Sequence, residues 1–207
     1  IYLYNSHFKA SDTTEDAARR GVEAAALRAN ADSLPSGSHI IYAGDLNVYS
    51  SSEAAFQTLI GAGTGQARDP VNRLGNWSSS SSFTDVFSQA PAVSPPSGFV
   101  GQGLDDRFDF QLLTGSWFNG TGLEYVPGSY RSFANNNTVS RGGNINDSTN
   151  TALPTLANRT TILNLLTTTS DHLPVVADYR FIPSSTPSIV SYSGGNYTQQ
   201  FNTLHYY

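Results

Sequence analysis

The chain has neither cysteine nor methionine among its 207 residues. Without a thiol it can build no disulfide framework, zinc–thiolate site or cysteine nucleophile. Without methionine, Ile1 is not a translational start, and the chain is expected to begin inside a fold or after processing. Cationic charge is also scarce. Eleven Lys plus Arg stand against sixteen Asp plus Glu, for a net charge of −5, and Lys9 is the single lysine. A dense basic surface of the kind that displaces counterions from long nucleic acid is not evident, which weighs against tight duplex binding. No apolar run approaches the roughly eighteen residues that span a bilayer, so no transmembrane segment is expected.

What is present suits a globular protein: 38% of residues are apolar and 12% aromatic, enough for one domain with a core, or one domain plus a piece of another. Ser, Thr, Asn and Gly are abundant and lysine is rare, a balance expected of an extracellular, secreted or cell-surface protein. Six Asn-x-Ser/Thr sequons begin at Asn76, Asn119, Asn136, Asn146, Asn158 and Asn196.

Ile1–Tyr4 reads as a strand that delivers His7 just beyond its end. Asp12-Thr13-Thr14-Glu15 has capping-box spacing, and behind it Ala18, Val22, Ala25, Ala26 and Ala29 share one helical face. His39–Ala43 is a short buried-type strand running into Gly44-Asp45-Leu46-Asn47. Ser50–Glu53 reads as a second capping box for a helix carrying Phe56, Leu59 and Ile60. Strand, helix, strand, helix is α/β layering. Residues 62–103 read as long surface loops with one apolar patch at Phe83–Phe87. Phe108–Leu113 is a further strand, Asn135–Asn150 a mobile loop and Leu173–Tyr179 a last strand. Beyond Pro183, Pro187–Tyr192 and Tyr197–Leu204 read as strands of a different, β-rich segment. The expected domains are therefore 1–182, and 183–207 as a linker and the start of that segment.

Three strings at strand ends carry chemistry. In Gly44-Asp45-Leu46-Asn47 a carboxylate and an amide two residues apart on an extended segment would face one side and share a water or a phosphoryl oxygen. In Asp105-Asp106-Arg107-Phe108-Asp109-Phe110, Asp109 sits among aromatics, where a bare carboxylate is costly unless paired, and a histidine is its natural partner. In Ser170-Asp171-His172-Leu173-Pro174-Val175 an adjacent Asp and His can supply a metal ligand and an acid/base group together. Each also has an ordinary structural explanation. Asp-Leu-Asn is common turn chemistry, Asp106-Arg107 fits a surface ion pair, and a single His7 fits a satisfied loop histidine.

Taken together and in order, Asn5-Ser6-His7-Phe8-Lys9, Gly44–Asn47, Arg107-Phe108-Asp109 and Ser170–Val175 resemble the endonuclease/exonuclease/phosphatase superfamily. That superfamily includes pancreatic-type deoxyribonucleases, exonuclease III-like enzymes, bacterial sphingomyelinases and inositol polyphosphate 5-phosphatases, and the resemblance spans about residues 1 to 180. It implies a four-layer α/β sandwich of two facing, mainly antiparallel sheets with outer helices, of which this chain would be the C-terminal half. It implies His172 as the catalytic histidine and Asp109 as its orienting carboxylate. Asp45 and Asn47 would orient water and the scissile phosphate, His7 would hydrogen-bond a phosphoryl oxygen, and Asp171 would ligate a divalent metal. Mg²⁺ is the default metal, with Mn²⁺ or Ca²⁺ as alternatives. Arg107 and Lys9 could neutralise phosphate, although solvated surface charge is the simpler account.

The family's metal-binding Asn and Glu motifs do not occur before His7. The missing N-terminal half, in the same or another chain, is therefore an expected partner, and the 207 residues alone are expected to hydrolyse little. The expected function is a divalent-metal-dependent phosphoesterase, an extracellular nuclease or phosphodiesterase acting on nucleic acid or a small phosphodiester by in-line water attack, with nuclease preferred over phospholipase or phosphomonoesterase. The alternative is a catalytically idle structural or adhesive module of a larger extracellular protein.

Overall fold

Arginines, rather than alanines, decide which way the first helix faces. In the computed structural model, which describes residues 1–183, α1 spans Thr14–Asp32 and buries Arg20, Ala24, Arg28 and Ala31. The predicted inner face is turned outward instead: Ala18, Val22, Ala25, Ala26 and Ala29 are all exposed, Val22 at 71%. An alanine methyl gains only about 1 kcal/mol on burial, so hydrogen bonding outweighs the alanine row. Arg20 pairs with Glu53 and donates to the carbonyls of Lys9 and Ser11. Arg28 pairs with Asp32 and donates to the carbonyls of Thr58, Leu59 and Gly61. The N-cap is Thr13, one residue later than expected, and its side chain accepts from the Asp16 N–H.

The carbonyls that Arg28 collects belong to the end of α2, Ala54–Ile60, where the last carbonyls lack intrahelical donors. Phe56 and Leu59 are buried as their spacing predicts. The predicted box at Ser50 does not form. Glu53 occupies the N-cap without a side-chain capping bond, because its carboxylate is committed to Arg20.

The fold is mixed α/β with several small sheets. β1 (Tyr2–Asn5) runs parallel to β2 (Ile40–Asp45). β3 (Ala67–Arg68) and β2 both pair antiparallel with β4 (Asp109–Thr114), giving the order β1-β2-β4-β3. The β2–β4 register sets Asp45 opposite Asp109, so two strings remote in sequence end at one edge of one sheet. Two short antiparallel pairs complete the strands: β5 (Gly122–Tyr125) with β8 (Tyr179–Ile182), and β6 (Arg131–Ser132) with β7 (Val175–Val176). The single strand expected over Leu173–Tyr179 is thus split between two sheets.

One core packs α1 and α2 onto the sheet through Ala24, Ala31, Phe56, Leu59, Ile40, Tyr42, Phe110 and Leu112. The other face carries Leu113, Trp117, Tyr125 and Tyr130. A third cluster, around Phe87, Leu104, Ile145, Leu163 and Leu173, lies under the long connections. Those connections are more ordered than their composition suggests. Within 62–103, expected to be surface loops, lie β3 and the fully buried Trp77 and Phe87. The segment Asn135–Asn150, expected to be mobile, is held by buried amides. Asn135 donates to the carbonyls of Thr84 and Phe87, and Asn150 to those of Ala134 and Ile145. α3 (Arg159–Thr169) has no counterpart in the sequence reading, because its threonine-rich text lacks helix propensity. The strands expected at Pro187–Tyr192 and Tyr197–Leu204 lie outside the described residues.

Arg107 is neither a phosphate ligand nor the surface partner of Asp106. It is fully buried, makes a two-pronged ion pair with Asp69 at 2.8 and 2.9 Å, and sits 4.4 Å from the Phe110 ring centroid. Its neighbours Asp105 and Asp106 also turn inward. Burial, and then the charge of Asp106, push the Asp105 carboxyl up to about 6. The folded state therefore holds a proton that the unfolded chain releases at lower pH, so the stability linked to it is present below about pH 4 and lost as pH rises through 6. In urea titrations, Asp105→Asn is expected to match the parent at pH 4 and to exceed it by about 1–3 kcal/mol at pH 8. Equal stability at both pH values would show that Asp105 carries no such penalty.

Candidate active site

Gly44 opens the site by letting two strand ends meet. It has φ of +117°, and a Cβ there would lie 2.1 Å from the Ser6 carbonyl oxygen, so only glycine allows β1 to come this close. Asp45 ends β2. The chain then turns rather than extending: Asn47 has φ of +47°, its N–H donates to Asp45 Oδ1 at 2.9 Å, and its side-chain amide donates to the Phe8 carbonyl at 3.1 Å. Asp45 and Asn47 thus face the same hollow, but through a turn and not through the two-residue repeat of a strand. His7 reaches the same carboxylate from the end of β1, with Nε2 3.4 Å from Asp45 Oδ2.

His172 is supplied by the segment that leaves α3. Its N–H donates to Ser170 Oγ, and the next N–H, of Leu173, donates to the Ser88 carbonyl at 2.7 Å. The imidazole is gripped from two sides. Nδ1 lies 2.7 Å from Asp109 Oδ2, and Nε2 lies 2.7 Å from the Gln89 carboxamide nitrogen and 3.8 Å from Asp45 Oδ2. Gln89 is a site residue that sequence reasoning missed. Nothing in Ser88-Gln89-Ala90-Pro91 marks it. It is placed by backbone bonds from Gln89 N–H to the Asp106 carbonyl and from the Asp105 and Asp106 N–H groups to the Gln89 carbonyl. A neutral His172 accepts from the carboxamide N–H; a doubly protonated one requires the amide turned to present its oxygen.

Burial, followed by the charge of Asp109, raises the proton affinity of Asp45 above the usual carboxylate range, with His172 acting in the opposite direction. For His172, burial alone would lower the value, but the hydrogen bond and charge of Asp109, then the charges of Asp45 and Asp171, carry it above the ordinary histidine range. Both shifts favour proton binding, and they set a carboxylate and an imidazole of raised proton affinity side by side, the pairing expected of acid–base machinery.

These groups line a hollow of about 420 Å³, with His7, Asp45, Asn47, Gln89, Asp109, Asp171 and His172 in its wall. A more apolar hollow of about 360 Å³, walled by Ala43, Phe110, Leu166 and Val175, adjoins the other side of the His172–Asp109 pair. No lysine or arginine lines either one. Lys9 lies 3.3 Å from Asp16 instead.

A resident divalent ion does not fit the described residues by themselves. Asp171 Oδ2 accepts the Val100 N–H at 2.9 Å, Asp45 and Asp109 face imidazoles, and no group of three His, Asp or Glu side chains among the described residues could hold a metal. Asp171 is therefore at most one ligand of a larger set.

No family model and no curated protein matches the chain. Among solved structures, SmcL is similar over 61% of this chain and 40% of its own, at 14% identity and a TM-score of 0.34. Beta toxin 275-280 from Staphylococcus aureus is similar over 84% of this chain and 50% of its own, at 12% identity and a TM-score of 0.37. The chain thus spans half or less of each of these structures.

Proposed function

We propose that this site hydrolyses a phosphodiester bond and belongs to the C-terminal half of an endonuclease/exonuclease/phosphatase-type four-layer sandwich. The observation that carries the reading is the line Asp109–His172–Asp45, with contacts of 2.7 and 3.8 Å at the end of one sheet. A spacing of 3.8 Å is too short for Asp45 and His172 to stand on opposite sides of a phosphorus undergoing in-line displacement. Both groups act on one side. Asp45 takes the proton of the attacking water, while His172, held by Asp109, donates to a phosphoryl oxygen as charge builds there. His7 and the second amide proton of Asn47 face the same oxygens.

The absence of lysine and arginine from the cavity wall favours a single small phosphodiester over a grip on a long polyanion. Metal dependence, with Mg²⁺ first and Mn²⁺ or Ca²⁺ as alternatives, calls for further donors beside Asp171; no group of three His, Asp or Glu among the described residues supplies them, and the N-terminal half of the sandwich is their proposed source. An extracellular setting is part of the reading and rests on the lysine-poor, Ser/Thr/Asn-rich composition. No helix among the described residues is long and apolar enough to cross a membrane.

The test is hydrolysis of bis(p-nitrophenyl) phosphate and of plasmid DNA by the full-length protein carrying this chain, with and without Mg²⁺. Asp45→Asn is expected to lower turnover at least about 100-fold. In the parent, the acid limb of the rate profile should fall at higher pH than an ordinary carboxylate would place it. Undiminished turnover in Asp45→Asn would remove the proposed base, and equal rates on both substrates per bond would overturn the preference for a small diester.

A further inference from the structure

The five sequons within the described residues all expose their asparagines, but they are not equivalent. Asn136 Nδ2 donates to Thr151 Oγ1 and Asn146 Nδ2 to Asn164 Oδ1, so both amide nitrogens are already engaged. Asn76 is fixed by a bridge to Ser50 and followed by the fully buried Trp77, and Asn158 is the N-cap of α3. Asn119 differs from all four. Its Oδ1 accepts both the N–H of Thr121 at 3.0 Å and the Thr121 hydroxyl at 3.1 Å, while its Nδ2 has no partner among the described residues. Two donors on the amide oxygen fix the carboxamide and make its N–H protons easier to remove, as a transfer that takes one of them requires. The surroundings are open, since a Cβ built at Gly120 or Gly122 would meet nothing within 4 Å.

We propose that Asn119 is an N-glycan acceptor, modified when the chain passes through a eukaryotic secretory route. The donor class is an oligosaccharide linked to a polyprenyl diphosphate. Asn119 Nδ2 forms a bond to C1 of the first sugar, the C1–O bond to the diphosphate breaks, and the polyprenyl diphosphate leaves with the electron pair as Nδ2 gives up one proton to a base of the transferase. The inference is independent of the catalytic reading and uses none of its residues. The glycan would also leave the hollow free. β4 begins at Asp109, in the cavity wall, and ends at Thr114, about 17 Å further along an extended strand, and Asn119 lies beyond it.

The experiment is secretion of the full chain behind a leader peptide from a eukaryotic host. Peptide-N-glycosidase treatment and peptide mass spectrometry would follow, reading the conversion of Asn119 to aspartate. Asn119 is expected to be occupied in most molecules. Asn119→Gln and Thr121→Val should each remove one glycan, and Thr121→Ser should retain it. Because a variant can fail to leave the cell, the same set is translated in vitro with microsomes, where transfer is read on the nascent chain whatever its later folding. A bare Asn119 in chains glycosylated at another sequon would overturn the proposal, and so would translocated parent chains carrying no glycan at all.

Discussion

Replacing His172 with alanine in the full-length protein is expected to lower kcat/KM for bis(p-nitrophenyl) phosphate about 10²–10⁴-fold, the range a positioned acid–base group supplies. The expectation comes from what surrounds the ring. Nδ1 is committed to Asp109 at 2.7 Å, so Nε2, which faces Asp45 across 3.8 Å of the hollow, is the atom that meets a phosphoryl oxygen once the Gln89 carboxamide, 2.7 Å away, gives way to it. Asp109 acts chiefly through His172, with a smaller effect through the charge it sets beside Asp45. Asp109→Asn should therefore lose less than His172→Ala, and the double variant should be no slower than His172→Ala alone, because groups acting as a unit do not add. Steady-state kinetics on the four proteins decides the matter, with thermal melts confirming that each is folded. Losses that multiply would mean that the two residues work separately. Full activity in His172→Ala would remove that residue from the catalytic centre, and no activity in the parent would favour the idle, structural reading of the chain.

The second large effect concerns stability. Arg107→Ala is expected to destabilise the protein by about 3–5 kcal/mol, the cost of breaking a buried pair, and to lower Tm by about 10 °C. Arg107 is fully buried among the rings of Trp77, Phe110 and Tyr130 and its partner Asp69 is 2% exposed at the side chain, so truncation leaves a buried carboxylate without its counter-charge beside an emptied space. The double change Arg107→Met with Asp69→Asn should recover most of that loss, since no charge remains to be desolvated. There is also a pH signature. Burial would raise the Asp69 carboxyl, but the hydrogen bonds and charge of Arg107 hold it below the usual range. Its contribution is thus present above the unfolded carboxylate value and lost as pH falls through the lower folded one. Calorimetry of the parent and double variant down that range should show the acid loss only in the parent; a single variant as stable as the parent would mean that the pair contributes nothing.

The meeting of the candidate site's residues was largely legible in the sequence because they lie at or beside predicted strand ends, and a strand end fixes where a side chain goes. Asp45, Asp109 and His172 each closed or opened an apolar run. Gln89 was illegible because its position comes from backbone bonds to Asp106 and from the Leu173 N–H on the Ser88 carbonyl, contacts made across 17 and more than 80 residues of chain. The face of α1 was misread for a different reason. Periodicity registers apolar side chains, and here the deciding groups were two guanidiniums with carbonyls to satisfy. The splitting of the final strand at Ala177-Asp178 also escaped pattern reading, since the same alternation serves one sheet or two.

The inward arginines of α1 have a kinetic meaning as well as a structural one. α2 is seven residues long, far below the length at which a helix persists alone in water. Arg20 holds Glu53 at its start, and Arg28 holds three carbonyls at its end. The second helix is thus fastened to the first at both termini and has no independent opening of its own. Backbone amides of α2 should exchange with solvent only when α1 lets go, which makes the pair a single cooperative unit in native-state fluctuation.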